Sequence, residues 1–226
     1  LYYLPAIQKM SGFTDLALSV GGDNYCYGNT AIYGYLNLAY QKRHIKTVLW
    51  GCSIEPDIAM SPSVAEDLRH YGLVAARESI TYEAAKAVGA KALLMPDPAF
   101  HMMPEPCEVD ECFPRNEVIG INISPVIIHS EKNTGAAYAN YKTLIRYILD
   151  NTDASIALIP HVVWAHNDDR VPLKQLYDDF DQDSRLILVE DHTAPELKYI
   201  ISKCRHDANF VVRMVCDEVG KGIAEE

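Results

Sequence analysis

Seven apolar runs of strand length recur along the chain, and none of them alternates with polar residues. They are LALSV (16–20), TVLWG (47–51), LVAAR (73–77), ALLMP (92–96), VIGINIS (118–124), SIALIP (155–160) and RLILVE (185–190). Runs that are apolar throughout suit strands buried on both faces of a parallel sheet. Amphipathic segments of helical period separate them. TAIYGYLNLAYQ (30–41) offers Asn29 or Thr30 as N-cap, SPSVAEDLRHY (61–71) opens on Ser-Pro, and SITYEAAKAVG (79–89) starts at Ser79 and stops at Gly89. AAYANYKTLIRYILDN (136–151) puts Tyr141, Leu144, Ile145 and Ile148 on one face, and VPLKQLYDDF (171–180) and APELKYIISKC (194–204) complete the set. This order predicts an α/β fold with right-handed crossovers.

The rhythm breaks at HMMPEPCEVDECFPRN (101–116), which has three prolines, several acids and no period. It reads as a linker. A first domain is expected over 1–104 and a second over 115–205, with 206–226 a tail assigned to neither. A chain of 226 residues has room for two such small domains. It begins with neither an initiator Met nor a signal-peptide pattern, and reads as starting inside a larger protein.

Charge narrows the function classes. Lys plus Arg total 20 against 31 for Asp plus Glu, a formal charge of −11, which argues against a nucleic-acid or anionic-membrane surface. A small anionic substrate stays compatible, because a few arginines can dominate one cleft. The six cysteines form no CxxC pair, and Cys107 and Cys112 lack a second pair for zinc, so reduced thiols of a cytoplasmic protein and no metal site are expected. No run approaches the ~20 apolar residues of a membrane span.

In open α/β sheets ligands bind beyond the carboxyl ends of the strands. Those ends carry Gly21-Gly22-Asp23-Asn24, Gly51-Cys52-Ser53, Arg77-Glu78-Ser79 and Pro96-Asp97-Pro98 in the first half. In the second half they carry Ser124 to His129, His161, and Glu190-Asp191-His192. Gly21 and Gly22 allow positive φ and close backbone approach, and a helix start following them would favour an anion or a sugar oxygen; a plain tight turn is the other reading. Arg77 either clamps a phosphate or carboxylate, or pairs with Glu78 or an acid of a neighbouring loop. His161 and His166 are five apart, the wrong spacing for two ligands on one helix face, and Asp168 and Asp169 read as a loop or a solvated helix start. Fourteen tyrosines are many for this length; Tyr25 or Tyr27 could stack on a sugar, whereas Tyr33 and Tyr35 read as helix packing.

SVGGD, LWGCSI, VAARES, KALLMPDPAF, LIPHV and PELKYIISKCR, in this order and spacing, resemble the polysaccharide pyruvyl transferase family from about Leu16 to Arg205. The resemblance implies two Rossmann-like domains with parallel sheets facing across a cleft, a GT-B-like arrangement, here as a partial chain. It implies transfer of the enolpyruvyl group of phosphoenolpyruvate onto a saccharide or lipid-linked glycan, making a pyruvate ketal in cell-surface polysaccharide or exopolysaccharide biosynthesis. No cofactor is implied beyond that donor substrate. The location implied is cytoplasmic, at the inner face of the membrane. Arg77 matches the family arginine that looks like a phosphoenolpyruvate contact, with Ser79 beside it. Gly21, Gly22 and Asp23 match the first-domain cleft loop, Asp23 being a conceivable base, and His161 matches a second-domain histidine. The family's Arg-x-His segment, whose histidine is the favoured acid, has no counterpart: Arg205 and His206 are adjacent, and Arg213 stands apart. Two alternatives remain: a nucleotide-sugar glycosyltransferase of the same architecture, with Glu190 and Asp191 placed to hold a ribose, and a non-catalytic carbohydrate-binding homologue.

Overall fold

The computed structural model describes residues 3–110, 113, 117–131 and 134–204. The chain divides into two compact units between Met102 and Met103. Arg205, His206, Arg213 and Cys112 lie outside the described residues, as does the tail 206–226.

The first unit opens with helix α1 (Tyr3–Met10) and continues through four parallel strands: β1 (Leu16–Val20), β2 (Lys46–Cys52), β3 (Leu73–Ala76) and β4 (Ala92–Leu94). Their order in the sheet is that of the chain. The register pairs Leu16 with Lys46, Val48 with Leu73 and Val74 with Ala92. Helices α2 (Ala31–Gln41), α3 (Pro56–Ala59), α4 (Pro62–His70) and α5 (Ser79–Ala87) form the crossovers. Ser61-Pro62 starts α4 as the sequence suggests, with proline at the first position, where a missing N–H costs nothing. Helix α5 starts at Ser79 as the sequence suggests, and Glu78 caps it: its carboxylate accepts from the Thr81 N–H. Leu49 and Val74 of the sheet pack with Leu68 of α4 and Ala85 of α5, all fully buried. Each large aliphatic there contributes about 1.5–3 kcal/mol by leaving water.

One expectation fails in this unit. Burial alternates along β2, where Thr47 and Leu49 are buried while Lys46 and Trp50 are exposed. On β1, Leu16, Leu18 and Val20 are 49%, 50% and 67% exposed. The reason is topological. Crossovers of one hand in sequential strand order place their helices on one face. Among the described residues, the opposite face is left open.

The second unit carries β5 (Val118–Ile121), helices α6 (Pro125–Ser130) and α7 (Ala136–Asn151), β6 (Ser155–Leu158), β7 (Val163–Trp164), β8 (Asn167–Asp168), α8 (Arg170–Asp179), β9 (Leu186–Leu188) and α9 (Ala194–Ser202). Strands β5, β6 and β9 form a parallel sheet with β6 central. Here the apolar runs are buried on both faces. Ile156 and Leu158 join Ile145 and Ile148 of α7 and Leu173 and Leu176 of α8 in one cluster. Ala157 and Ile187 join Leu197 and Ile200 of α9 in another. Successive residues of a strand point to opposite faces, so the uninterrupted apolar run feeds both clusters. The antiparallel pair β7–β8, two residues in each strand, is too short to be legible in the sequence.

Candidate functional site

The carboxyl edge of the first sheet gathers a small polar cluster around Arg77. Its backbone is fixed at the end of β3 by a hydrogen bond from its N–H to the Cys52 carbonyl, 3.1 Å. Its Nε donates to Ser53 Oγ at 2.7 Å, Nη2 to Asp23 Oδ1 at 2.7 Å and Nη1 to Asp97 Oδ2 at 3.2 Å. Each of these partners follows a different strand: Asp23 after β1, Ser53 after β2, Asp97 after β4. The sheet order therefore assembles the cluster from four strand ends. Burial works against the Arg77 charge, and the carboxylates of Asp23 and then Asp97 outweigh it, so the guanidinium is held above its ordinary range.

The two glycines after β1 serve this guanidinium. A Cβ on Gly22 would stand 2.5 Å from Arg77 Nη1 and 3.0 Å from Cζ, so glycine lets the guanidinium sit against the loop without being displaced. Gly21 has φ +143°, and a Cβ would meet Asn24 Oδ1 at 2.7 Å. The Gly22 carbonyl accepts from the Ser53 N–H at 2.6 Å, and Tyr25 bridges to Ile54, so the chain runs on beside the extension of β2. Helix α2 begins only at Ala31. Thr30 stands at its N-cap position, as the sequence suggests, and the close approach to Gly22 is made by the Arg77 side chain.

Of the residues singled out in sequence, Gly21, Gly22, Asp23 and Arg77 come together. Tyr25 does not join them. It is fully buried, its hydroxyl hydrogen-bonds to Asp67 Oδ2, and it lies 3.1 Å from the Tyr71 hydroxyl. Burial, reinforced by Tyr71 and Asp67, holds its phenol far above its ordinary range. Core packing explains this tyrosine, and sugar stacking is withdrawn for it. Tyr27 is 60% exposed. Ser79 is exposed in the first turn of α5. Cys52 is fully buried, and desolvation pushes its thiol up to about 12, which rules it out as a nucleophile at neutral pH. Ser53 and Asp97 were visible only as strand-end residues; their convergence on Arg77 is a product of the sheet order.

In the second unit His161 is exposed just beyond β6. Its backbone N–H and that of Val162 donate to Asp169 Oδ2, at 3.0 and 2.9 Å. Asp169 is 1% exposed, which corrects the expectation of a solvated helix start. Asp168 is the outward residue of the pair and holds Arg170 through a 2.7 Å ion pair. Glu190 and Asp191 line a groove of about 720 Å³ with Arg170, Lys174, Leu188 and Val189. Among the described residues no group of three or more His, Cys, Asp or Glu side chains is gathered to hold a metal. No helix there is long and apolar enough to cross a membrane.

Parallel sheets with helical crossovers define a mixed α/β protein, compatible with a Rossmann-like fold. The family model for polysaccharide pyruvyl transferase matches residues 2–206, and the chain belongs to that family. Membership indicates a transferase with a saccharide acceptor. No curated protein matches the chain.

Proposed function

We propose that this protein transfers the enolpyruvyl group of phosphoenolpyruvate to a saccharide, forming a pyruvate ketal in cell-surface polysaccharide or exopolysaccharide biosynthesis. The family match over residues 2–206 carries the reading. On this reading the two Rossmann-like domains, 1–104 and 115–205, belong to a GT-B-like enzyme that works in the cytoplasm, at the inner face of the membrane, on a saccharide or lipid-linked glycan. The donor is a substrate, and no cofactor takes part.

The chemistry sets the requirements. C3 of the enol gains a proton while a sugar hydroxyl adds to C2 and gives up its own. The C2–O bond to phosphate then breaks, releasing inorganic phosphate, and the resulting oxocarbenium carbon is captured by a second hydroxyl, which loses its proton as the ketal closes. Cations must hold the carboxylate and phosphate, a base must accept the hydroxyl protons, and a general acid must supply the proton that C3 gains.

Arg77 supplies the first group. Its bonds to Ser53, Asp23 and Asp97 use one N–H on each nitrogen, so each terminal nitrogen has a second N–H to offer. A guanidinium with a donor on each terminal nitrogen can hold a carboxylate. Two aspartates and one arginine give the cluster a net charge of −1, which favours the singly charged carboxylate of the donor over its phosphate dianion at this position. Asp23 is the base for the acceptor hydroxyl, with Gly21, Gly22 and Ser79 forming the surrounding substrate surface. His161 is a substrate contact of the second domain.

Calorimetric titration of phosphoenolpyruvate into the full-length protein tests this reading. Binding that disappears in Arg77→Ala supports it. A nucleotide sugar that binds instead, with no change in Arg77→Ala, overturns it. That outcome would promote the glycosyltransferase, for which Glu190 and Asp191 in the groove could hold a ribose.

A further inference from the structure

Asp169 stands immediately before α8, where an aspartate ordinarily turns its side chain onto the helix's first N–H groups. It makes no such bond. Its side chain points inward, and Oδ2 accepts three N–H groups: Asn122 Nδ2 at 2.9 Å, His161 N at 3.0 Å and Val162 N at 2.9 Å. Asn122 follows β5 and also donates to the Ile159 carbonyl at 2.9 Å, directly after β6. The Asp169 N–H closes the arrangement by donating to the Val162 carbonyl at 2.8 Å. The loop that leaves β6, forms the β7–β8 pair and returns to α8 is thus pinned at its base by one carboxylate. At 1% exposure that carboxylate is sealed from solvent, and among the described residues its Oδ1 has no hydrogen-bond partner.

A buried carboxylate serving a single turn is expensive to keep unless the turn must be held in one geometry. What the turn presents is His161, exposed at the carboxyl edge of the sheet. Asp168 takes over the helix start, accepting the Arg170 N–H at 3.0 Å, so Asp169 is released for the inward role.

We propose that Asp169 is a positioning residue: it locks the His161–Val162 backbone to the ends of β5 and β6 and thereby fixes where the His161 side chain starts. The inference rests on the reading of His161 as a substrate contact, and its structural half can be tested without that reading.

The experiment uses the full-length protein with Asp169→Ala, Asp169→Asn, His161→Ala and the Asp169→Asn/His161→Ala double variant. Amide exchange is followed residue by residue, and phosphoenolpyruvate-dependent phosphate release is measured. In Asp169→Ala the His161 and Val162 amides exchange at least about a hundredfold faster, while those of Ile156, Ala157 and Leu158 keep their protection. Asp169→Asn, whose side-chain oxygen still accepts the same N–H groups, loosens them less. Its kcat/KM falls about tenfold, within the range for residues of one network, and adding it to His161→Ala lowers activity no further. Unchanged exchange at His161 and Val162 in Asp169→Ala overturns the proposal. So does a double variant whose losses multiply, because Asp169 then acts independently of His161. If His161→Ala is as active as wild type while Asp169→Ala still releases the two amides, the substrate role of His161 falls and the pinning by Asp169 stands. Should Asp169→Ala not fold, Asp169→Asn carries the same comparison.

Discussion

Gly22→Ala is the sharpest probe of the Arg77 cluster because it alters no charge and removes no hydrogen-bonding group. The added methyl carbon would sit 2.5 Å from Nη1, 3.0 Å from Cζ and 3.1 Å from Nη2 of Arg77. Ordinary contact needs about 3.5 Å, so the guanidinium or the loop must yield by roughly 1 Å. The guanidinium is tied on three sides, at 2.7 Å to Ser53, 2.7 Å to Asp23 and 3.2 Å to Asp97. A shift of that size stretches at least one bond beyond hydrogen-bonding distance. A charge-assisted bond contributes about 1.5–3 kcal/mol when sheltered. The side chains here are 23–34% exposed, so solvent screening reduces that to about 1–2 kcal/mol. If Arg77 holds the donor's carboxylate, phosphoenolpyruvate binding weakens by about 5- to 30-fold, at 1.4 kcal/mol per decade. Isothermal titration with the donor reads this directly. Gly28→Ala is the control, since a Cβ there meets nothing within 4 Å. Equal donor affinity in Gly22→Ala and wild type would refute the reasoning, as would an equal loss in Gly28→Ala.

Three further outcomes are expected. Tyr25→Phe removes a hydroxyl bonded to Asp67 and Tyr71 in the core, so it costs about 1–3 kcal/mol of stability in denaturant unfolding and leaves acceptor KM unchanged; a changed KM with unchanged stability would restore the sugar-stacking role. Gly51→Ala meets both a φ of +64° and the Pro98 ring at 2.8 Å, so it lowers stability by about 2–4 kcal/mol, and a neutral thermal melt would contradict the strain. Burial raises the Cys52 thiol from 9.0 to about 12 in the folded protein. The unfolded chain therefore loses this proton first. Its contribution is intact below about pH 9 and is lost progressively between about 9 and 12, as linkage requires. The stability gap between wild type and Cys52→Ala should shift steadily against wild type across that window, and a constant gap would exclude the effect.

The apolar runs were sufficient to place the seven strands and their parallel pairing, because an uninterrupted aliphatic stretch bounded by glycine or proline has few other uses. Helices with a clear stripe, such as α7 with Ile145 and Ile148, were equally legible. The four-residue α3 and the two-residue strands β7 and β8 were not, since too few residues take part for any period to emerge. Gly21, Gly22, Asp23 and Arg77 could be picked out by their place after strands, a local property. Their mutual contact could not, because Asp23 and Arg77 are 54 residues apart and meet only through the order of β1, β2 and β3.

By itself, the sequence determined the secondary structure that burial demands, the α/β class and the family likeness, all of which follow from short-range pattern. Tertiary structure alone decided which groups neutralise which. It turned Arg77 from a lone cation into the centre of a cluster with two aspartates, moved Tyr25 from a candidate sugar platform into the core, and drew Asp169 inward. In each case the deciding quantity is distance across the fold, and side-chain chemistry read along a chain carries no distance.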